Sequence, residues 1–102
     1  MRTIIKSRRH LEIPQDIKNY LQQKIAKFEK RLPQTAFVEV VLSDELGPKG
    51  GNDKEVDLTL TLPGEKQPFH FMERTEDFSR SIDLIEEKLE REVVRYKEKR
   101  SY

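Results

Sequence analysis

Lys54-Glu55-Val56-Asp57-Leu58-Thr59-Leu60-Thr61-Leu62 alternates without a break between polar and aliphatic residues. Side chains along an extended strand point to opposite faces in turn, so Val56, Leu58, Leu60 and Leu62 share one face and Glu55, Asp57, Thr59 and Thr61 the other. Such alternation predicts a sheet with one packed and one wet face, and the packed face must find a cover elsewhere in the chain. Upstream, Ala36 to Ser43 is rich in β-branched and aromatic residues and reads as a second strand. The turn-rich stretch Asp44 to Asp53 joins the two as a flexible hairpin connection. Downstream, Pro63-Gly64-Glu65 makes a tighter turn into a strand at about Gln67 to Glu73, where Pro68 points to an edge position.

The cover is supplied by two amphipathic helices. Thr75 to Arg100 carries Phe78, Ile82, Ile85, Leu89, Val93 and Tyr96 at steps of three and four, which keeps all six on one side of a helix. Thr75 is the expected N-cap, with Glu76 and Asp77 near the positive end. Pro14 suits the first position of an earlier helix, about Gln15 to Arg31, in which Ile17, Leu21, Ile25, Phe28 and Leu32 recur at helical spacing up to Pro33. A short extended segment, about Arg2 to Arg9, precedes it. The order is β-α-β-β-β-α: a two-layer α+β sandwich with a four-stranded, mostly antiparallel sheet and both helices on its apolar face. With 102 residues the chain is expected to form a single domain, 1–102.

Composition excludes several functions. Cysteine is absent, which removes disulfides, thiolate catalysis and cysteine-based zinc sites. No stretch approaches the roughly 20 apolar residues of a membrane span, and the N-terminus lacks the apolar core of a secretory signal, so a cytoplasmic location is expected. His10 and His70 have no ligand-type spacing with carboxylates, and no metal or other cofactor is expected. Gly47-Pro48-Lys49-Gly50-Gly51 lacks the spacing of a phosphate loop and the hydroxyl after its lysine, and reads as an ordinary hairpin loop. The acidic pairs Asp44 with Glu45 and Glu76 with Asp77 fit solvation and helix-dipole roles better than acid and base catalysis, which needs an enclosing pocket. A binding module without a small-molecule substrate is expected, not an enzyme.

The formal net charge is only +1, so any case for a nucleic-acid partner rests on where charges lie. Lys88, Arg91, Arg95 and Lys99 follow helical steps on a side of the last helix distinct from its apolar stripe. Glu86, Glu87, Glu90 and Glu92 are interleaved with them, so a merely solvated face is the competing reading. The cations nevertheless concentrate toward the end of that helix, part of which the helix dipole itself favours. On the first helix Lys24, Lys27 and Arg31 recur, and Lys6, Arg8 and Arg9 lie on the first strand. These groups are expected to merge into one basic surface. The wet sheet face, with Glu55 and Asp57, is expected to repel a phosphate backbone.

Lys24-Ile25-Ala26-Lys27-Phe28-Glu29-Lys30, Asp77-Phe78-Ser79-Arg80-Ser81-Ile82-Asp83, and Lys88-Leu89-Glu90-Arg91 running on to Arg95-Tyr96-Lys97 occur in this order on the β-α-β-β-β-α frame. Together they resemble the short ribosome hibernation-promoting factors and ribosome-associated inhibitors, also known as sigma-54 modulation proteins, over nearly the whole chain. The resemblance implies binding to the small ribosomal subunit, in the channel that messenger RNA and transfer RNA otherwise occupy, with translation silenced and no covalent chemistry. It implies rRNA contacts at Arg9, Lys24, Lys27, Lys88, Arg91, Arg95, Lys97 and Lys99; Arg8, Arg31 and Arg100 join these on charge alone. The chain departs from the family where Arg8 replaces a glycine, Pro14 a capping threonine and Phe78 a tyrosine, and where Glu92 and Val94 replace polar or basic residues. Longer members carry a C-terminal domain that pairs ribosomes. As a complete product the chain is expected to be a monomer off the ribosome; as a piece of a longer protein it is not. Two alternatives remain at this point: a double-stranded-RNA-binding module, and a protein-interaction adaptor using the sheet face or an edge strand.

Overall fold

The computed structural model describes residues 1–9, 12–44 and 53–100; His10 and the loop glycines therefore lie outside the described residues. The elements are β1 (Arg2–Ser7), α1 (Gln15–Ala26), β2 (Phe37–Asp44), β3 (Lys54–Thr61), β4 (Phe69–Thr75) and α2 (Phe78–Lys99), the order expected from the sequence. They form a four-stranded sheet in the spatial order β1-β2-β3-β4. β1 pairs with β2 in parallel, and β2–β3 and β3–β4 are antiparallel. A parallel pair cannot be joined by a tight turn, and α1 fills the connection between β1 and β2. β4 is an edge strand, and Pro68 stands just before it, where no ladder donor is needed.

The alternation in β3 is reproduced: Val56, Leu58 and Leu60 are fully buried together with Val38, Val40 and Leu42 of β2. Both helices lie over this face. Leu21 and Ile25 of α1 and Ile82, Ile85, Leu89 and Val93 of α2 complete one continuous core. Asp77, not Thr75, caps α2, its Oδ1 accepting from the backbone N–H of Ser79 at 3.2 Å. Thr75 instead bonds the Ser81 hydroxyl at 2.8 Å, and Ser81 Oγ donates to the Lys54 carbonyl at 2.7 Å, fastening the start of α2 to the start of β3. At that end the Lys54 ammonium sits 2.9 Å from Asp53 and 3.1 Å from Asp44. The hydrogen bond to Asp53 raises its pKa above the usual lysine value, against the effect of burial.

α1 ends at Ala26, five residues before its expected limit of Arg31. Pro33 sets an outer limit, since its ring excludes the carbonyl of residue 29 from a helical turn and restricts Leu32, and the helix stops short of that limit. The chain tightens instead, with Phe28 N–H on Ile25 O, Glu29 N–H on Ala26 O and Arg31 N–H on Phe28 O. Phe28 and Leu32 remain buried through this turn, so the apolar spacing is kept while the helix is not.

Tyr20 of α1 donates a hydrogen bond to Asp83 of α2. That bond, with burial and the charge of Asp83 adding to it, pushes the phenol from 10.0 up to about 12. A folded-state pKa above the unfolded one gives stability that is fully present below pH 10 and is lost as pH rises toward 12. Tyr20→Phe is therefore expected to cost about 1 kcal/mol at neutral pH, with the deficit shrinking across that alkaline window in urea titrations. A deficit independent of pH would contradict the coupling. Leu58→Ala, at the centre of the core, is expected to cost about 2–5 kcal/mol by the same measurement.

Candidate nucleic-acid interface

β4 runs in the same direction as β1 and β2, and each helix follows such a strand and folds back over it. α1 and α2 therefore lie parallel. The cross-helix pairs Tyr20–Asp83, Lys27–Glu86 and Arg31–Glu90 climb both helices together. Both helices therefore point their C-terminal ends the same way, but α1 stops at Ala26, beside Glu86, while α2 runs on to Lys99.

Most of the expected contact residues are partnered. On the α1 side, Lys24 and Lys27 lie 3.8 and 2.9 Å from Glu86, and Arg31 lies 2.6 Å from Glu90. The cations on the other flank of α2 face the β3–β4 hairpin or their own helix. Lys88 pairs with Glu73 of β4, Arg95 lies 3.4 Å from Glu92, and Lys99 lies 3.5 Å from Glu65. The expectation of one merged basic surface is corrected accordingly: the α1 cations and the Lys88, Arg95 and Lys99 row occupy opposite flanks of α2, each with a carboxylate at hand. The sequence shows the glutamates but not their flanks; Glu86 and Glu90 are four apart and both face α1. Arg91 and Lys97 are exposed and have no ion-pair partner among the described residues.

The turn that follows α1 and the end of α2 do bring cations together. An open cleft of about 440 Å³ is lined by Lys30, Arg31, Lys97 and Arg100 over Leu32, Pro33 and Tyr96, with no carboxylate in its lining. Lys30 was not among the expected contacts. Arg100 is the most firmly held of the four. Its guanidinium stacks 4.0 Å from the Tyr96 ring and reaches the Pro63 carbonyl and Glu65, both at 3.4 Å. The Tyr96 hydroxyl donates to the same Pro63 carbonyl at 3.0 Å. Gly64, at φ 86°, lies under this clasp; any Cβ there would collide with the Arg100 guanidinium.

Arg8 and Arg9 lie away from this end. Arg9 follows β1 with φ 54°, a left-handed conformation uncommon for a non-glycine residue. Arg8 reaches over the sheet face opposite the helices, 3.6 Å from Glu55 and 3.5 Å from Asp57. That face is not wet where β3 crosses it: Glu55 and Asp57 are only 5% and 7% exposed. Arg74 lies over Glu55, its Nη2 at 2.5 Å and its Nε at 3.2 Å, and His70 lies 3.2 Å from Asp57. Burial, reinforced by the bond to Glu55, pushes the Asp57 carboxyl above the usual range. The Asp57 bond, with Arg74 and Arg8, holds Glu55 below it. Of the two, Asp57 takes up a proton first. No group of three or more His, Asp or Glu among the described residues is arranged to hold a metal ion, and no helix among them is long and apolar enough to cross a membrane.

The chain is similar to known proteins along most of its length. It is 28% identical over 93 residues to the ribosome hibernation promoting factor of Pseudomonas putida, covering 91% of this chain and 84% of that protein. It is 32% identical over 92 residues to the ribosome hibernation promotion factor of Staphylococcus aureus, covering 86% of this chain but 44% of that longer protein. The crystal structure of the Thermus thermophilus Protein Y N-terminal domain superposes with a TM-score of 0.73 at 26% identity, covering 94% of this chain and 99% of that one. Residues 4–101 match the family described as Sigma 54 modulation protein / S30EA ribosomal protein, and with its sheet order and helix placement in agreement the chain belongs to that family.

Proposed function

We propose that the protein is a ribosome-associated hibernation factor that binds rRNA of the small subunit, in the channel used by messenger and transfer RNA, and holds translation silent without catalysing a reaction. The observation that carries this reading is the family match across residues 4–101. A cationic cleft where the turn after α1 meets the end of α2 supports this reading, as do the exposed Arg91, Arg95 and Lys99 elsewhere on α2. Folded RNA is gripped without regard to sequence through phosphate contacts on a shaped cationic surface, and a carboxylate-free cleft fits that role.

Pairing with glutamates does not bar these cations from RNA. Exposed ion pairs contribute about 0–1 kcal/mol, so Lys27 or Arg31 can exchange a carboxylate for a phosphate with little effect on the fold. The glutamates then hold the long side chains near their binding positions before RNA arrives. Within this reading the protein works in the cytoplasm, as a monomer off the ribosome, and uses no cofactor.

Co-sedimentation with purified small subunits tests the proposal. Wild-type protein should pellet with subunits at low salt and be released as salt rises, with a log-log slope of about −0.7 to −0.9 per phosphate contact. The Arg91→Glu, Arg95→Glu double variant, and Lys97→Glu in the cleft, should remain largely in the supernatant. Pelleting that ignores both salt and charge reversal would remove the reading.

A further inference from the structure

The sheet face opposite the helices reads as acidic in sequence, but its side chains are stacked in depth. Across it lie two rows set by the strand register: Ser43, Glu55 and Arg74, with Arg8 just past the end of β1, then Lys6, Val41, Asp57 and Met72. The carboxylates of Glu55 and Asp57 form the floor, with side chains 6% and 10% exposed, while those of Lys6, Arg8, His70 and Arg74 above them are 52–59% exposed. A buried carboxylate is tolerable only when paired, and here the cations that satisfy the acids also roof them. Arg8 engages each carboxylate through one nitrogen, and a guanidinium has five N–H donors in a planar fork, so its outward edge can still meet an anion.

The neighbouring charges give the roof a sign. Arg9 and Arg2 extend the exposed cations along and beyond β1, leaving Glu39 as the remaining half-buried acid on this face among the described residues. An exposed surface with cations above and acids sealed beneath complements a polyanion. It offers no exposed aromatic for base stacking: the ring on this face, Phe37, is half-buried with Arg2 over it at 5.7 Å. We propose that the open sheet face is a second RNA-contacting surface, which takes phosphates of the RNA backbone through Lys6, Arg8 and Arg74. The protein would then be held from both sides, by its helices and by its sheet. This inference rests on the ribosome-binding reading and extends it to a face that reading does not use.

Photocrosslinking separates the two. Met72, 47% exposed at the centre of the sheet face, and Val94, 41% exposed on the outer side of α2 between Arg91 and Arg95, are each replaced by benzoylphenylalanine in the full chain and irradiated on purified small subunits. The expected result is crosslinks to rRNA from both positions. Crosslinks to rRNA from Val94 with none, or only protein crosslinks, from Met72 would overturn the sheet-face inference and leave the helix-side reading standing. Silence from both positions without co-sedimentation would overturn both. A second measurement avoids opening the Glu55–Asp57 floor, as Arg8 or Arg74 substitutions would. Lys6→Ala, whose only ion pair among the described residues is with the partly exposed Glu39 at 3.2 Å, should keep the wild-type melting curve and make the salt slope shallower by about 0.7–0.9. An unchanged slope would count against the sheet face.

Discussion

The apolar face of the sheet must be covered, and everything else in the molecule follows from how that is done. Val38, Val40, Leu42, Val56, Leu58 and Leu60 make a surface too wide for one helix, and burial of apolar area is the main term favouring the folded state. Two helices cover it, and because each returns over a strand of the same direction they must lie parallel. The parallel helices point their C-terminal ends the same way, and the turn that follows the shorter α1 carries the chain toward the end of α2. The cationic cleft is thus a consequence of core coverage, realised by the placement of Lys30, Arg31, Lys97 and Arg100.

The charges are arranged in pairs more than in fields. With near-equal numbers of acids and bases, the domain cannot present a strong global potential, and its recognition surfaces come from local geometry. On the helix side, Glu86 and Glu90 order the α1 cations at weak, exchangeable contacts. On the sheet side, Glu55 and Asp57 are sealed beneath the groups that pair with them. A formal count treats these acids alike, although Glu55 and Asp57 are the more deeply buried of the four.

The sheet, the order of elements and the core were legible in the sequence because periodicity reports directly on burial: the alternation of Val56 to Leu62 and the helical spacing of Phe78 to Tyr96 both survive in the structure. The end of α1 was not, since Phe28 and Leu32 keep a helical rhythm through a turn that is no longer α-helical. The candidate site was less legible still. Helical spacing put Lys88, Arg91, Arg95 and Lys99 on one stripe, but which flank of α2 faces α1 is a tertiary fact. So is the burial of Glu55 and Asp57, which depends on Arg8 and Arg74 arriving from two other strands. Asp77 as the cap of α2, in place of Thr75, was decided by the bond that Thr75 makes with Ser81.

The clasp of Arg100 on Tyr96, Pro63 and Glu65 joins the last turn of α2 to the bend between β3 and β4. The bend thereby becomes a remote adjuster of the cleft. Lengthening it, or giving Gly64 a side chain, would swing Arg100 and change the aperture without altering Lys30, Arg31 or Lys97. Divergence among such domains can therefore tune the grip through a surface bend while every charged residue in the mouth stays the same.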